Sequence, residues 1–208
     1  ILNGLSWDWE DYGGYLDALE DLNPGINLAG LVGHCAVRFY VMGERAVEEQ
    51  ATPDERARMA EVVGESIAAG AVGFSTSRFL GHVLPDGRHV PGTHAAHEEL
   101  VSIAEGIAAN GGGLIQGVFN LATDFEGEMN LVRELAATTG DRLLFSIAAG
   151  RSDDSGVRMN AVVDGLCDEG FDVSAMGIPR GSGALTGLVN ILPWRGKAWR
   201  RLSKLDFN

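Results

Sequence analysis

Polar side chains that could carry chemistry lie where short apolar strands are predicted to end. The candidates are His34, Ser75, Ser77, Arg78, His82 and Gln116. In a parallel β/α protein, the carboxyl end of a strand is where reacting groups are mounted on a rigid frame. Arg78 could hold a substrate carboxylate through two parallel hydrogen bonds, and the histidines could contact a substrate or the residues behind it. The sequence therefore predicts that these side chains line one pocket.

Most of these candidates also have a plainer interpretation. His34 either lines the pocket or forms a structural hydrogen bond within the protein. Ser75 and Ser77 lack the Gly-x-Ser-x-Gly frame of a strained nucleophile, so we do not expect serine catalysis. Gln116 is predicted to share a strand face with Asn120, and both side chains could orient a polar ligand.

The histidines and cysteines give little sign of a metal site. His94 and His97 stand three positions apart, which could suit a metal, but we expect His94 in the first turn of a helix, on the rim away from the strand ends. His89 lies in the preceding loop, and the sequence indicates no partner for it. Cys35 and Cys167 have no metal-type spacing, which favours a reduced, cytoplasmic protein.

The composition is that of an ordinary globular domain and argues against two classes of partner. Hydrophobic residues make up 45% of the chain and charged residues 22%. The formal net charge of −13 argues against nucleic-acid binding, which needs clustered Lys and Arg. No run reaches the roughly 18 to 20 apolar residues that cross a membrane. A small molecule is the expected ligand.

Short apolar runs alternate with segments of helical periodicity along the chain. The predicted strands are Asn27–His34, Ala71–Thr76, Leu114–Phe119, Leu143–Ala148 and Phe171–Ile178. The predicted helices are Tyr12–Leu22, Pro53–Ala69, His94–Ala109, Glu126–Thr138 and Val157–Glu169. This alternation predicts an α/β fold with a parallel sheet and right-handed crossovers. It leaves open a doubly wound sheet or about five-eighths of a (β/α)8 TIM barrel.

Two loops of the predicted fold could be functional. The loop Arg78–Thr93, at about 16 residues, is longer than ordinary connections between a strand and a helix. The glycine-rich loop around Gly181–Gly183 could cradle a phosphate through backbone N–H groups, although it lacks the spacing of known phosphate motifs. A phosphate-binding α/β enzyme is therefore one alternative function.

Several short segments follow one another in an order and spacing typical of one enzyme group. They are Trp7-Asp8-Trp9, Leu31-Val32-Gly33-His34 with Arg38, Val41-Met42-Gly43, Ala51-Thr52-Pro53 with Glu55 and Met59, Gly70 to Arg78, and Pro91-Gly92-Thr93 with Glu98-Glu99-Leu100. Over about residues 5–150 this set resembles the D-aminoacylase, or N-acyl-D-amino-acid deacylase, group of the amidohydrolase superfamily.

The resemblance implies a TIM-type barrel and metal-assisted hydrolysis of the amide bond of N-acyl-D-amino acids. It places His34 and Ser75 at the ends of barrel strands three and four. Strands five, six and seven would hold Gln116, Ser146 and Met176. Zinc is the metal that the resemblance implies. The whole chain, 1–208, is then expected to be a single barrel segment, incomplete at both ends.

The resemblance breaks down at the metal ligands. The histidine and arginine usual on the fifth strand are absent from Leu114–Phe119, and the usual paired histidines of the sixth are replaced in Ser146-Ile147-Ala148. No metal ligand of the family can therefore be assigned to this chain. A second alternative follows, in which the chain is a non-catalytic piece of a barrel. Such a piece is expected to self-associate or to need a complementary chain, because bare strand edges favour association.

Overall fold

A five-stranded parallel sheet organises the chain, and its strands lie side by side in the order β1-β2-β3-β4-β5. The structure is a computed structural model that describes residues 7–140, 142–146, 155–177 and 201. The strands are β1 (Leu31–Gly33), β2 (Gly73–Ser77), β3 (Leu114–Val118), β4 (Leu143–Ser146) and β5 (Val173–Met176). In a barrel, consecutive strands lie side by side throughout, whereas in a doubly wound sheet the strand order reverses. The partial-barrel prediction is confirmed.

Helices connect successive strands. They are α1 (Tyr12–Asp21), α2 (His34–Met42), α3 (Pro53–Ala68), α4 (His97–Ala109), α5 (Phe125–Thr139) and α6 (Ser155–Asp168), with a 3₁₀ helix at Gly43–Val47 after α2. Within the part of the chain that is described, no helix is both long and apolar enough to cross a bilayer.

Side-chain caps fix where several helices begin. Thr52 accepts a hydrogen bond from the Glu55 backbone N–H, and the Glu55 carboxylate in turn accepts from the Thr52 N–H at 2.8 Å. This reciprocal capping box satisfies two backbone donors that the first turn of α3 would otherwise leave unpaired. Asp124 caps α5 by accepting from the Gly127 N–H at 3.1 Å. These caps fix the first turns of α3 and α5.

One face of the sheet packs on the helices and forms the core. Its in-register row is apolar: Val32, Phe74, Ile115, Leu143 and Val173. All of these side chains are buried together with apolar side chains of α3, α4 and α5. The opposite face carries the alternate residues of each strand, and we call it the open face because it faces away from these helices.

The structure corrects the prediction around His34. The first strand is three residues long, and His34 begins helix α2 instead of closing a strand. The apolar run Asn27–His34 resembled a buried strand, but only its last part pairs with β2. The sequence predicted neither a helix nor a strand for the rest of α2, residues 35–42. Helix α4 also begins at His97, later than predicted.

Candidate functional site

Three uncharged polar side chains form a row across the open face. The register places Ser75 of β2 beside Gln116 of β3. The Gln116 amide Nε2 donates to the Ser146 hydroxyl of β4 at 2.8 Å. All three are half-buried; Ser75 and Gln116 are the central residues of their strands, and Ser146 is the last residue of β4. We call Ser75, Gln116 and Ser146 the polar row.

A serine–histidine pair stands at the end of β2, beyond the polar row. The Ser77 Oγ lies 2.6 Å from the His82 Nδ1. Phe79 meets the His82 ring edge-on, with ring centroids 5.3 Å apart. The pair shares the open face with Ser75, because residues two apart along a strand point the same way. Neither partner contacts a carboxylate in the described residues, so the pair is suited to hydrogen bonding a ligand.

His34 lies on the other side of the sheet, inside a buried network. Its Nδ1 is 2.8 Å from the Thr76 Oγ1, and its Nε2 is 2.7 Å from the Glu99 Oε1. Arg38 pairs with the second Glu99 oxygen and donates to the Ala46 carbonyl at 2.8 Å. The histidine is 1% exposed. The geometry supports the structural hydrogen-bonding interpretation of His34 rather than contact with the ligand that the polar row would bind.

Charge balance in this network fixes the protonation of His34. Burial lowers its pKa, against the opposing effect of Glu99. Burial alone would raise the pKa of Glu99, but hydrogen bonds from His34 and Arg38 outweigh it and hold that pKa below its usual value. A carboxylate can only accept, so the His34 Nε2 carries the proton and the Nδ1 accepts from the Thr76 hydroxyl. The network is therefore a neutral imidazole beside an ion pair.

Arg78 is also engaged within the protein. Its Nε donates to the Glu128 carboxylate at 2.7 Å, and its Nη1 donates to the Ala95 carbonyl at 2.7 Å. The Arg78 side chain is 11% exposed and that of Glu128 is 3% exposed. The second Glu128 oxygen accepts from the Asn120 backbone N–H at 3.2 Å. Arg78 thus connects α5 and the segment before α4 to the end of β2. Binding of a substrate carboxylate by Arg78 stays a prediction, and this geometry does not support it.

The structure corrects the predicted position of His94. We expected it in a helix on the rim away from the strand ends, but it lies in the turn before α4, next to Ala95, which Arg78 contacts. The helix that follows a strand begins at that strand's carboxyl end, so a residue just before α4 belongs to the same rim as Ser77. His89, for which the sequence indicated no partner, lies 2.7 Å from His94 between ring nitrogens.

The structure brings Ser75, Gln116, Ser77 and His82 to one face and separates them from His34 and Arg78. Sequence reasoning missed Glu99 and Glu128, which anchor the two buried networks. Both lie in the first turn of a helix, where acidic residues are common, so nothing in the sequence distinguished them from their exposed neighbours Glu98 and Glu126. Their burial was the missing signal, and it depends on tertiary packing.

No described residues form a metal centre of the usual kind. Across 7–140, 142–146, 155–177 and 201, no group of three or more His, Cys, Asp or Glu side chains is placed to hold a metal ion. The polar row offers hydroxyl and amide groups, whereas zinc prefers imidazole, thiolate and carboxylate. The open face of the described strands therefore does not fit zinc.

Known proteins with similar sequences include deacylases. The chain is 33% identical over 109 residues to the D-aminoacylase of Alcaligenes xylosoxydans xylosoxydans, a match that covers 52% of this chain and 20% of that protein. It is 36% identical over 97 residues to the N-acyl-D-glutamate deacylase of the same organism, covering 47% of this chain and 18% of that protein. These matches thus span about a fifth of the length of the relatives.

Solved structures share the fold. A D-aminoacylase structure studied for its binuclear metal centre matches with a TM-score of 0.67 at 23% identity, over 82% of this chain and 34% of that chain. The N-acyl-D-glutamate deacylase of Bordetella bronchiseptica, complexed with zinc and a phosphonate inhibitor, matches with a TM-score of 0.60 at 27% identity, over 79% of this chain and 33% of that one. The sequence model of the amidohydrolase family matches residues 2–188. This chain therefore belongs to the amidohydrolase family.

Proposed function

We propose that this protein hydrolyses the amide bond of N-acyl-D-amino acids, and that the described residues form part of its substrate-binding wall. The observation that carries the proposal is the polar row, which crosses the open face of three adjacent strands of an amidohydrolase fold. The sequence relatives that deacylate N-acyl-D-amino acids support the substrate class.

The chemistry of the polar row suits a neutral amide or a carboxylate group of such a substrate. Gln116 donates one N–H to Ser146 and keeps a carbonyl oxygen and a second N–H for other partners. Ser75 and Ser77 add hydroxyl groups that donate or accept, and His82 can orient the Ser77 hydroxyl. These groups can position an acyl amide, and none of them is a carboxylate that would carry the hydrolysis.

We propose that the reaction depends on zinc whose ligands lie outside the described residues. The D-aminoacylase and deacylase structures that share the fold are described as metal-bound, which supports a metal in this protein. Because the open face offers no zinc ligand set, the described residues contribute binding and orientation.

We also propose that the protein self-associates or binds a complementary chain, which would supply further βα units to the sheet. Among the strands that the structure describes, β1 and β5 are the edges of the sheet, and an unpaired parallel edge favours association. Exposed apolar side chains near the β1 edge include Ile26, Leu28 and Tyr40. Light scattering at micromolar concentration tests this directly. A monodisperse 22.1 kDa monomer with no tendency to associate would contradict it.

The deacylase proposal is tested on the species isolated by that size measurement, with zinc present. Release of free amino acid from N-acyl-D-amino acids, and not from their L counterparts, is the expected result. Replacing Ser75→Ala or Gln116→Leu should raise KM about tenfold, because one hydrogen bond to substrate is worth roughly 1–1.5 kcal/mol. Ser102→Ala, on helix α4, is the matched control and should leave KM unchanged. Absence of hydrolysis for every N-acyl amino acid would contradict the proposal.

The phosphate alternative remains a prediction. Gly181–Gly183 lies outside the described residues, and no described contact favours it.

A further inference from the structure

Two imidazole rings of the long loop between β2 and α4 share a hydrogen bond. The Nδ1 of His89 and the Nε2 of His94 are 2.7 Å apart, and the ring centroids are 4.8 Å apart. A bond between two ring nitrogens needs one proton and one lone pair. It survives when one ring is protonated, because an imidazolium donates to a neutral neighbour. It breaks when both rings are protonated, because two N–H groups then face each other.

This bond connects a small hairpin to the residues just before α4. We call residues 82–90 the loop hairpin. Val83 and His89 pair there in an antiparallel bridge, and the Val90 N–H donates to the His82 carbonyl at 3.2 Å. These bonds lie within the loop hairpin and do not attach it to the sheet or to the helices. The imidazole of His94 receives the hairpin from outside.

His94 belongs to the fixed side of this contact. The Gln50 amide donates to the His94 carbonyl at 2.8 Å and accepts from the Ala96 N–H at 3.1 Å. The Ala95 carbonyl accepts from the Arg78 Nη1 at 2.7 Å. The backbone around His94 is thus held by contacts that do not involve its ring. If the imidazole bond breaks, we expect the loop hairpin to move and His94 to stay.

Two other polar contacts of the loop hairpin respond differently to pH. The Arg88 guanidinium lies 3.6 Å from the Glu48 carboxylate, and both side chains are exposed, so this ion pair contributes little. The His82 Nδ1 lies 2.6 Å from the Ser77 Oγ. A hydroxyl group both donates and accepts, so the contact with Ser77 persists whether or not His82 is protonated. The bond between the two imidazoles is the contact that a second proton destroys.

The surrounding charges leave the imidazoles as the groups that switch. The pair lines a cleft of about 310 Å³, and the charged side chains that line it too are Arg38, Glu48, Glu49 and Arg88. Arg38, Glu49 and Arg88 each form a closer ion pair within the protein. Histidine is the side chain whose ordinary pKa puts its change of charge between about pH 5 and 8.

The electrostatics disfavour the second proton. Burial lowers the pKa of His94, and the neighbouring His89 and Arg78 lower it further. This is the direction expected for two rings that share one proton, because the first positive charge opposes the second. The bond is therefore intact near neutral pH and is lost only as the pH falls.

We propose that the bond between His89 and His94 is a pH-sensitive latch, which holds the loop hairpin near neutral pH and releases it when both rings are protonated. Because the loop hairpin begins at His82, its release displaces the Ser77–His82 pair at the end of β2. The latch is a property of the loop and does not depend on the proposed deacylase function.

NMR of the 208-residue protein between pH 8 and pH 5 tests the latch. The ring-nitrogen resonances of His89 and His94 should titrate in two coupled steps, the second below the ordinary histidine pKa of about 6.5. Cross-peaks between the two rings should disappear with the second step. Backbone order parameters of residues 83–90 should then fall from about 0.85 to below about 0.6. Those of β3 should not change, which excludes global unfolding.

His94→Gln is the variant that separates the latch from other titrating groups. Its amide offers both a donor and an acceptor, so it can bond to the His89 ring in either protonation state. The order parameters of the loop hairpin should therefore stay high from pH 8 to pH 5. His97→Gln is the matched control, because it removes an imidazole three positions further along and should leave the pH response of the loop hairpin unchanged.

Three results would overturn the proposal. The first is a loop hairpin whose order parameters and ring cross-peaks are unchanged down to pH 5 in the unsubstituted protein. The second is an equal loss of order in His94→Gln, which would assign the change to another group such as His82. The third is a loss of order that reaches β3 at the same pH, which would show unfolding of the whole protein.

Discussion

The buried carboxylate of Glu99 provides the sharpest test of how this rim is held together. In Glu99→Gln the side chain keeps its shape, but the charge that balances Arg38 is lost. The amide also has one oxygen where the carboxylate has two. His34 and Arg38 both donate to Glu99, so one of these buried donors loses its acceptor.

The expected cost is large because both partners are inaccessible to water. The side chains of Arg38 and Glu99 are 3% and 1% exposed. Removing one member of a buried ion pair costs about 3–5 kcal/mol, since the remaining charge is left without compensation. The Arg38 bonds to the Ala46 and Glu49 carbonyls persist and moderate this cost. We therefore expect a loss near the lower limit, about 3 kcal/mol.

Glu98→Gln is the matched control. Glu98 precedes Glu99 in the first turn of α4 but is exposed, so its substitution removes a similar interaction with the helix dipole, worth about 0.3–1 kcal/mol. Equilibrium unfolding in urea at pH 7.5 measures both variants. With a slope of about 2 kcal/mol/M, Glu99→Gln should lower the midpoint by about 1.5 M. A midpoint within about 0.5 M of that of Glu98→Gln would refute the argument.

Two further predictions concern His34. Burial lowers the pKa of His34 in the folded protein. Below the unfolded pKa of about 6.5, the unfolded chain therefore binds a proton that the folded chain does not. The free energy of unfolding then falls by up to about 1.4 kcal/mol per pH unit as the pH decreases towards the folded pKa. Urea unfolding at pH 7.5, 6.5 and 5.5 should show this slope, and His34→Gln should reduce it; an equal slope in both proteins would contradict the assignment. Gly92→Ala should lower the free energy of unfolding more than Gly87→Ala in the same assay. Both positions have positive φ, but only a Cβ added at Gly92 would meet the His34 ring, at 2.5 Å, whereas a Cβ added at Gly87 would meet nothing within 4 Å. Equal losses for the two alanines would show that backbone strain alone is responsible.

The pattern of helices and strands was predictable because it depends on local sequence. The capping box of Thr52 and Glu55 marked the start of α3, and short apolar runs marked β2 to β5. The helix that follows β1, α2, was not predictable from local sequence. The N-cap residue of α2 is Gly33, which has no side chain that could cap the helix. No local signal therefore marks the start of α2 at His34.

The site was only partly predictable, because alternation along a strand identifies faces but does not reveal which charges are paired. Period-two spacing predicted that Ser75 shares a strand face with Ser77, whereas the register between β2 and β3, which was not predictable from the sequence, brings Ser75 beside Gln116. Arg78 and His34 were not distinguished from ligand-binding residues, since their partners Glu128 and Glu99 lie 50 and 65 positions further along the chain. The pairing of His89 with His94 likewise depends on how the long loop folds back.

The two faces of the sheet divide the polar chemistry in a way that limits what mutations can do. On the helix side, the pairs Arg38–Glu99 and Arg78–Glu128 lock α2, α4 and α5 to the carboxyl ends of β2 and β3. On the open face, the polar row is uncharged. A substitution in either ion pair should therefore act on substrate binding only by displacing the strand ends, and its effect on KM should follow its effect on stability. A substitution in the polar row should change KM without that loss of stability, because its groups are half-buried and still accessible to water.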